Sequence, residues 1–524
     1  MPPSDRRDDA RTAAERAALT AQRRVRRRLG GALLAVAAAL TVWELWGGSI
    51  TPPPPAPVAA EACGPHAPAD AVPVSLPVAS LEAWRALRGV VVCFTHDLTV
   101  TEVFDLGRHG ELTLADRRLF GPNTGLALDD DALHMVRLGA RQRPPAPPWP
   151  LPWGLEVGGI RVGDAVVDLV GRVWSGPDGG YLIEPLAAPT FEQRNPRPRT
   201  PPDVGGTLRV AALNLENYFV TLGSRGADHP SALARQTEKL VAALSALDAD
   251  VIAVMEVERD DDGAALEALA LALNQALARA AAAAEDAARD GAPTAAARRY
   301  TPLPPAPRSA SGAGDAIRQG FLVDTATVEV LALDADVAQV HERPPQALTL
   351  RHRASGQVLS VVAVHLRSKG GCPSAGDVDA GYGCWNLRRS AQADALLGYA
   401  ARLEAAHGGL GVLIVGDVNT HRHEPPLRLF DDAGWTVASD SMPAEEARSY
   451  VFFGRSAALD HALASPSLAP HLQGAAYWPI NADEPPLAGS GRGAQAPRGY
   501  RPDAFRSSDH DPLLVGLALT SAEP

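Results

Sequence analysis

The sequence predicts an α/β catalytic region behind a small all-β domain, and two observations carry that prediction. From about 205 to 520, apolar runs of strand length alternate with segments of helical spacing, and several runs end on Asn, Glu, His or Asp. From about 70 to 192 the runs are shorter, and Gly and Asp/Asn turns separate most of them. At 524 residues the chain is too long for one ordinary domain, and 46% hydrophobic content is enough for packed cores. The 46 Pro and 47 Gly cluster, which marks linkers and loops rather than global disorder.

Residues 1–28 form a polar arm ending in Arg23-Arg24-Val25-Arg26-Arg27-Arg28. Residues 29–50 are apolar and just long enough to cross a bilayer as a signal anchor. The Arg cluster favours a cytoplasmic arm, and Trp43 and Trp46 suit the far interface. Cleavage as a signal peptide near Val58-Ala59-Ala60 is the alternative. Residues 51–69 contain Pro52 to Pro57 and read as a stiff stalk. The protein is thus expected to be membrane-anchored with its catalytic domain outside the cytoplasm, or secreted after cleavage. Four Cys fit that placement. Cys372 and Cys384 flank a Gly-rich loop and are the preferred pair, leaving Cys63 with Cys93, although four Cys permit three connectivities. A net charge of −12 excludes a protein that wraps nucleic acid by bulk charge, but not an enzyme with a local Arg-lined cleft and a cation.

In the first folded region, strands are expected at Val90–Cys93, Leu98–Val103, Glu111–Leu114, Ile160–Val162, Ala165–Val170 and Tyr181–Ile183. They suggest an OB-like barrel over 70–192. Few aromatics fall at alternate strand positions, so a spacer role is weighed against nucleic-acid binding. Residues 193–204, with Pro196 to Pro202, read as a linker.

In the catalytic region, 205–520, a strand from Leu208 to Leu213 is closed by Asn214-Leu215-Glu216-Asn217. Ser231 to Leu247 has helical spacing, with Ser231 as a candidate N-cap. The strand from Asp250 to Met255 ends in Glu256, a carboxylate placed to hold a cation. Residues 264–299 are Ala-rich and helical by propensity. The strand from Val358 runs into His365-Leu366-Arg367-Ser368-Lys369, where a His beside Arg and Lys can meet a phosphate and exchange a proton. The chain holds only two Lys, Lys239 and Lys369, which sharpens interest in the second. Arg388 opens a helix after the Cys372–Cys384 loop. Gly411 to Val415 reads as a buried strand, and alternation points Asp417 and Asn419 the same way out of its end. A carboxylate beside a carboxamide suits a hard cation and a phosphoryl oxygen. Leu459-Asp460-His461 and Ser508-Asp509-His510-Asp511-Pro512 add further acids and a second candidate catalytic His. Singly, each of these is as consistent with turn chemistry.

Taken as an ordered set, Leu213–Phe219, the strand ending in Glu256, His365–Lys369, Gly416–Asn419, Leu459–His461 and Ser508–Pro512 resemble the endonuclease/exonuclease/phosphatase superfamily, of deoxyribonuclease I-like fold. Gly370-Gly-Cys372, Gly383-Cys-Trp-Asn386 and Ile480–Pro485 are similar to its large secreted bacterial nucleases, in which an OB-like domain comes first. The resemblance implies a four-layer α-β-β-α sandwich. It implies Asn214, Glu256 and Asp509 as cation ligands, Asp417 to orient or deprotonate water, and Asn419 on a phosphate oxygen. It further implies His365 and His510 for charge stabilisation and the leaving-group proton, with Asp460 holding His365 in its tautomer. Arg367, Lys369 and Arg388 are the expected phosphate contacts. Mg²⁺ suits such oxygen ligands, with Mn²⁺ or Ca²⁺ as alternatives. The family often shows a Tyr late in the strand from Ile317, where this chain has Val323-Asp324.

The expected function is a metal-dependent nuclease acting on DNA, or on RNA. A phosphatase or phospholipase C on the same fold is the rival enzyme. A non-catalytic surface binding module is the rival from another class.

Overall fold

Alternation along the central strands explains the architecture. In the Leu208–Tyr218 strand, Val210 and Ala212 face one apolar cluster while Ala211 and Leu213 face another. A strand buried on both faces must lie inside a layered sandwich. The computed structural model describes residues 63, 67–144, 149–176, 180–287, 298–305 and 314–520.

Two six-stranded sheets pack face to face. The first runs in the order Tyr300–Pro302, Ile317–Asp324, Val251–Glu258, Leu208–Tyr218, Leu513–Leu517, Leu472–Tyr477. The second runs Val328–Ala335, Gln346–His352, Val358–His365, Val412–Asp417, Asp460–Ala464, Thr436–Val437. Between them lies a core that includes Val210, Met255, Phe321, Leu359, Val361, Leu413 and Val415. Helices Pro230–Leu247 and Ala264–Ala287 cover the outer face of the first sheet, through Leu240, Leu244, Leu266 and Leu269. Helices Asn386–His407 and Pro425–Asp432 cover the second, through Leu396, Leu403, Leu427 and Phe430. The result is the expected four-layer arrangement.

Local details differ from expectation. The first central strand does not close at Asn214 but continues to Tyr218 through a register shift. The helix expected from Ser231 begins at Pro230, and His229 caps it, its ring accepting from Ser231 N. Proline is accommodated in the first turn because its missing N–H has no intrahelical partner there. Val323, late in the Ile317–Asp324 strand, is fully buried in the inter-sheet core.

The N-terminal region is a nine-stranded sheet between Val72 and Glu192. Its end strands, Val72–Val74 and Thr190–Glu192, each pair with one neighbour, so the described ladders do not join into the ring of an OB-like barrel. Ile160–Val162 is not a strand. Its Arg161 instead runs into a buried seam with the catalytic region. There Asp483 pairs with Arg118 at 2.9 Å and Glu484 with Arg161 at 3.1 Å and Arg197 at 2.6 Å. Asn195 also donates to Asp483, at 2.8 Å, so the segment after the sheet is bonded into this seam. The Ile480–Pro485 stretch thus has a structural role. Cys63–Cys93 and Cys372–Cys384 are disulfide-bonded. Among the described residues no helix is long and apolar enough to cross a membrane; the expected anchor, 29–50, lies outside them.

Candidate active site

The site is the polar end of the inter-sheet core. The inward row Val210–Ala212 continues to Asn214, the row Leu359–Val361–Ala363 to His365, and the row Leu413–Val415 to Asp417. A period of two keeps each polar residue on the face of its apolar predecessors. Register then aligns them: His365 lies opposite Asp417, and Asp417 opposite Asp460. Gly416 is required beneath this row. Its φ is +131°, and a Cβ there would sit 2.3 Å from the Val364 carbonyl.

Glu256 breaks the alternation. Met255 already faces inward, so a regular strand would send Glu256 to the helical side. A register shift between Val254 and Val257, with Glu256 at φ +62°, re-aims it. Its carboxylate accepts from Asn217 N at 3.0 Å, and Glu216 and Asn217 also have positive φ. These non-glycine residues in the left-handed region, with Asn419 at φ +52°, concentrate backbone strain at the site.

Asp417 Oδ2 is the hub. It accepts from Asn214 Nδ2 at 3.3 Å, across the two sheets, and lies 3.3 Å from His365 Nε2 and 3.9 Å from His510 Nε2. Asp417 Oδ1 accepts from Asn419 N at 2.9 Å. Burial, with Asp460 and Glu256 nearby, pushes the Asp417 carboxyl up against the opposing effect of His510. Burial and then Asp509 push Glu256 up as well.

The two histidines differ. Burial alone would depress His510, but Asp460, Asp417 and Asp509 outweigh it and hold its pKa well above the usual histidine range. Burial, then Arg343 and His510, push His365 well below that range. The surroundings thus favour the charged form of His510 and the neutral form of His365. Asp460 is the partner of His510, at 2.7 Å from its Nδ1, and not of His365 as expected. The order of strands explains the correction: Asp460 pairs with Asp417, which stands between it and His365. Ser449 donates to the same Asp460 oxygen at 2.6 Å.

Arg343 is a site residue that the sequence reading missed. It is buried, with Nη1 3.1 Å from His365 Nε2, and its Nε has no hydrogen-bond partner. It sits in a loop before the Gln346–His352 strand, outside any strand-end pattern. The Arg343-Pro344-Pro345 run was the available signal.

A cleft of about 840 Å³ holds these groups together. Glu256, His365, Asp417, Asn419, Asp509 and His510 line it, with Arg225, Arg343, Arg367 and Arg455. Asn419 Nδ2 donates to Leu366 O at 3.2 Å, so its amide ties two strand ends together. Arg367 lies 4.6 Å above the Trp385 ring and lines the cleft. Lys369 lines it too, but its ammonium is held by buried Glu424 at 2.5 Å and burial lowers its pKa to about 8. It braces the loop rather than offering a free charge. Arg388 does not line the cleft; Glu342 holds it at 3.0 Å. The first turn of its helix points it toward the 339–342 loop.

Glu256, Asp509 and the Asn214 carboxamide present oxygen donors of the kind Mg²⁺ takes. Among the described residues neither carboxylate has an Arg or Lys ion-pair partner, so a divalent cation fits the set. Asp417, Asp460 and His510 also place ligand atoms within 4.8 Å of one another. Donors from His510 and Ser449 already occupy Asp460 Oδ2, however, so that trio fits proton handling better.

A sequence profile described as the endonuclease/exonuclease/phosphatase family matches residues 213–510. A search of curated protein sequences gave no match. Solved structures similar to the chain include an endonuclease/exonuclease/phosphatase family protein of Bacteroides thetaiotaomicron, at 14% identity over 59% of this chain and 94% of that one, TM-score 0.38. The human Nocturnin catalytic domain gives 15% identity, 60% and 94% coverage and TM-score 0.35. A mannosyl-6-phosphatase of B. thetaiotaomicron gives 14%, 59% and 99%, and 0.38. With the profile spanning more than half of its length, the chain belongs to the endonuclease/exonuclease/phosphatase family of metal-dependent phosphoester hydrolases.

Proposed function

We propose that the protein is a divalent-metal-dependent phosphodiesterase that hydrolyses nucleic acid, DNA before RNA, outside the cytoplasm. The observation that carries this reading is one cleft joining the His510–Asp460 pair, 2.7 Å apart, the buried Asp417 hub and an Arg-lined wall. Phosphodiester hydrolysis needs those three things: a proton acceptor for water, a proton donor for the leaving oxygen and positive charge for the phosphoryl oxygens.

Asp417, its pKa raised, accepts the proton of the attacking water. His510, held protonated by Asp460, gives the leaving oxygen its proton from Nε2. Neutral His365, oriented by Arg343, hydrogen-bonds a phosphoryl oxygen, and Arg367 holds the flanking backbone charge, Arg225 being paired with Asp315 at 2.6 Å. Glu256, Asp509 and Asn214 would hold the divalent ion, Mg²⁺ first and Mn²⁺ or Ca²⁺ next, which when bound neutralises phosphoryl charge. Two disulfides support the extracytoplasmic placement.

The test is nicking of supercoiled plasmid by the full chain in Mg²⁺, with EDTA abolishing it. An enzyme that leaves DNA and RNA intact across Mg²⁺, Mn²⁺ and Ca²⁺ is not a nuclease. Turnover of sphingomyelin or an inositol phosphate in a parallel assay would then assign it to lipid or monoester substrates.

A further inference from the structure

The N-terminal β region reaches into the catalytic cleft. Its Leu119–Phe120 strand pairs in parallel with Arg455–Ala457, which forms a hairpin with Tyr450–Phe452. The chain continues into Gly121 and Pro122, which line the cleft. Gly121 N donates to Ser456 O at 2.9 Å. His421 Nδ1 lies 2.6 Å from Pro122 O, and Asn123 Nδ2 donates to Gly381 O at 2.9 Å. Residues 119–123 are therefore a strap tied to the hairpin on one rim and to the Cys372–Cys384 loop on the other. Asp131, also from the N-terminal region, accepts from Arg455 Nη2 at 2.7 Å.

The strapped hairpin carries a row of rings leading outward from the catalytic histidine. The Tyr450 ring is 4.7 Å from that of His510, Phe452 is stacked 6.4 Å from Tyr450, and Phe453 is 4.4 Å from Phe452. Phe452 is 61% and Phe453 63% exposed. Phe453 also has φ +47°, a conformation unfavourable for a bulky side chain. That φ belongs to the two-residue turn Phe453-Gly454 that closes the hairpin, with Gly454 at φ +74°, but packing within this chain does not explain the exposure of the two rings. Adjacent exposed apolar rings mark a binding surface, and here they share a cleft with Arg367 and Arg455.

We propose that this row is a stacking platform for an unpaired base of the strand being cut, and that the N-terminal β region sets its position. The inference rests on the nuclease reading. An aromatic ring accepts the face of any base, so the platform tolerates all sequences. In a closed duplex those faces are covered by neighbouring bases, so the enzyme favours single-stranded or locally opened substrate.

The experiment compares kcat/KM on a thymidine oligonucleotide and on a base-free sugar-phosphate oligomer of equal length, in Mg²⁺. Wild type is expected to favour the thymidine oligomer about tenfold, a preference in the range of one stacked base. The Phe452→Ala/Phe453→Ala variant loses that preference through KM, with its rate on the base-free oligomer unchanged. Asp131→Ala, which touches no substrate, reduces the preference about threefold by loosening the hairpin. A wild-type enzyme that cuts both oligomers equally overturns the platform, as does a double variant that keeps the preference. If wild type cuts neither these oligomers nor plasmid, the nuclease reading falls and takes this inference with it.

Discussion

Among the described residues, the buried charge clusters of the seam and of the cleft treat their aspartates differently. In the seam between the N-terminal sheet and the sandwich, Asp483 and Glu484 meet Arg118, Arg161, Arg197 and Arg448. Burial raises Asp483, but Arg118 and Arg448, then Arg161, outweigh it and hold its carboxyl far below the usual range. In the cleft, Asp417 and Glu256 are pushed up, because burial is reinforced by other carboxylates. At Asp483 compensated charge marks a joint, although burial still outweighs Arg161 and Arg197 at Glu484 and pushes that carboxyl up. Carboxylates crowded together mark a place suited to a cation or to holding a proton.

The comparison can be broken most sharply at the hub. Asp417→Asn or His510→Ala should lower plasmid nicking by at least about 10³-fold; Asp417→Asn, which relieves repulsion from Asp460 and Glu256, should move the unfolding midpoint little, whereas His510→Ala leaves Asp460 buried without its cation and should lower it. A variant that keeps full activity would show the centre to be misassigned. Asp460→Asn should cost about 10²-fold, and a double variant with His510→Ala should add nothing, because the two act as one unit. Additive losses would separate them.

Asp483→Asn tests the other cluster. It leaves buried guanidinium groups short of a partner and should cost about 3 kcal/mol in denaturant unfolding, while kcat at temperatures where the fold persists is unchanged. The pH dependence has a definite sign. A carboxyl with a depressed folded-state pKa contributes stability that is complete above its unfolded pKa, near 3.8, and is lost as pH falls through the folded value. Wild type should therefore lose stability at acid pH more steeply than Asp483→Asn. Equal acid slopes would mean the seam carries no linked proton. The smallest effect belongs to Arg388→Ala, which should change nicking by no more than about twofold, because Glu342 rather than the cleft holds that side chain.

Most of the centre was legible because strand period and site geometry coincide. Asn214, His365 and Asp417 each follow an apolar alternation, so their common direction could be read along the chain. Asp460 was identified as a site residue, but its partner was not. Choosing between His365 and His510 needs the lateral strand order, which no single strand carries. Glu256 was found by position, although its aim depends on a bulge that reverses the expected face. Arg343 escaped because it acts from a loop. In the N-terminal region the short strands at Leu98, Glu111 and Tyr181 were readable. Met135–Leu138 was not, and the Leu119–Phe120 strap is too short for any period to show.

The strand Leu513–Leu517 is synthesised after every other strand described, yet it inserts between Leu208–Tyr218 and Leu472–Tyr477. The turn that feeds it delivers Asp509 and His510. Asn214 therefore cannot meet Asp509 and His510 until the chain has been made past Leu517, and a product truncated before Ser508 would lack half of the site.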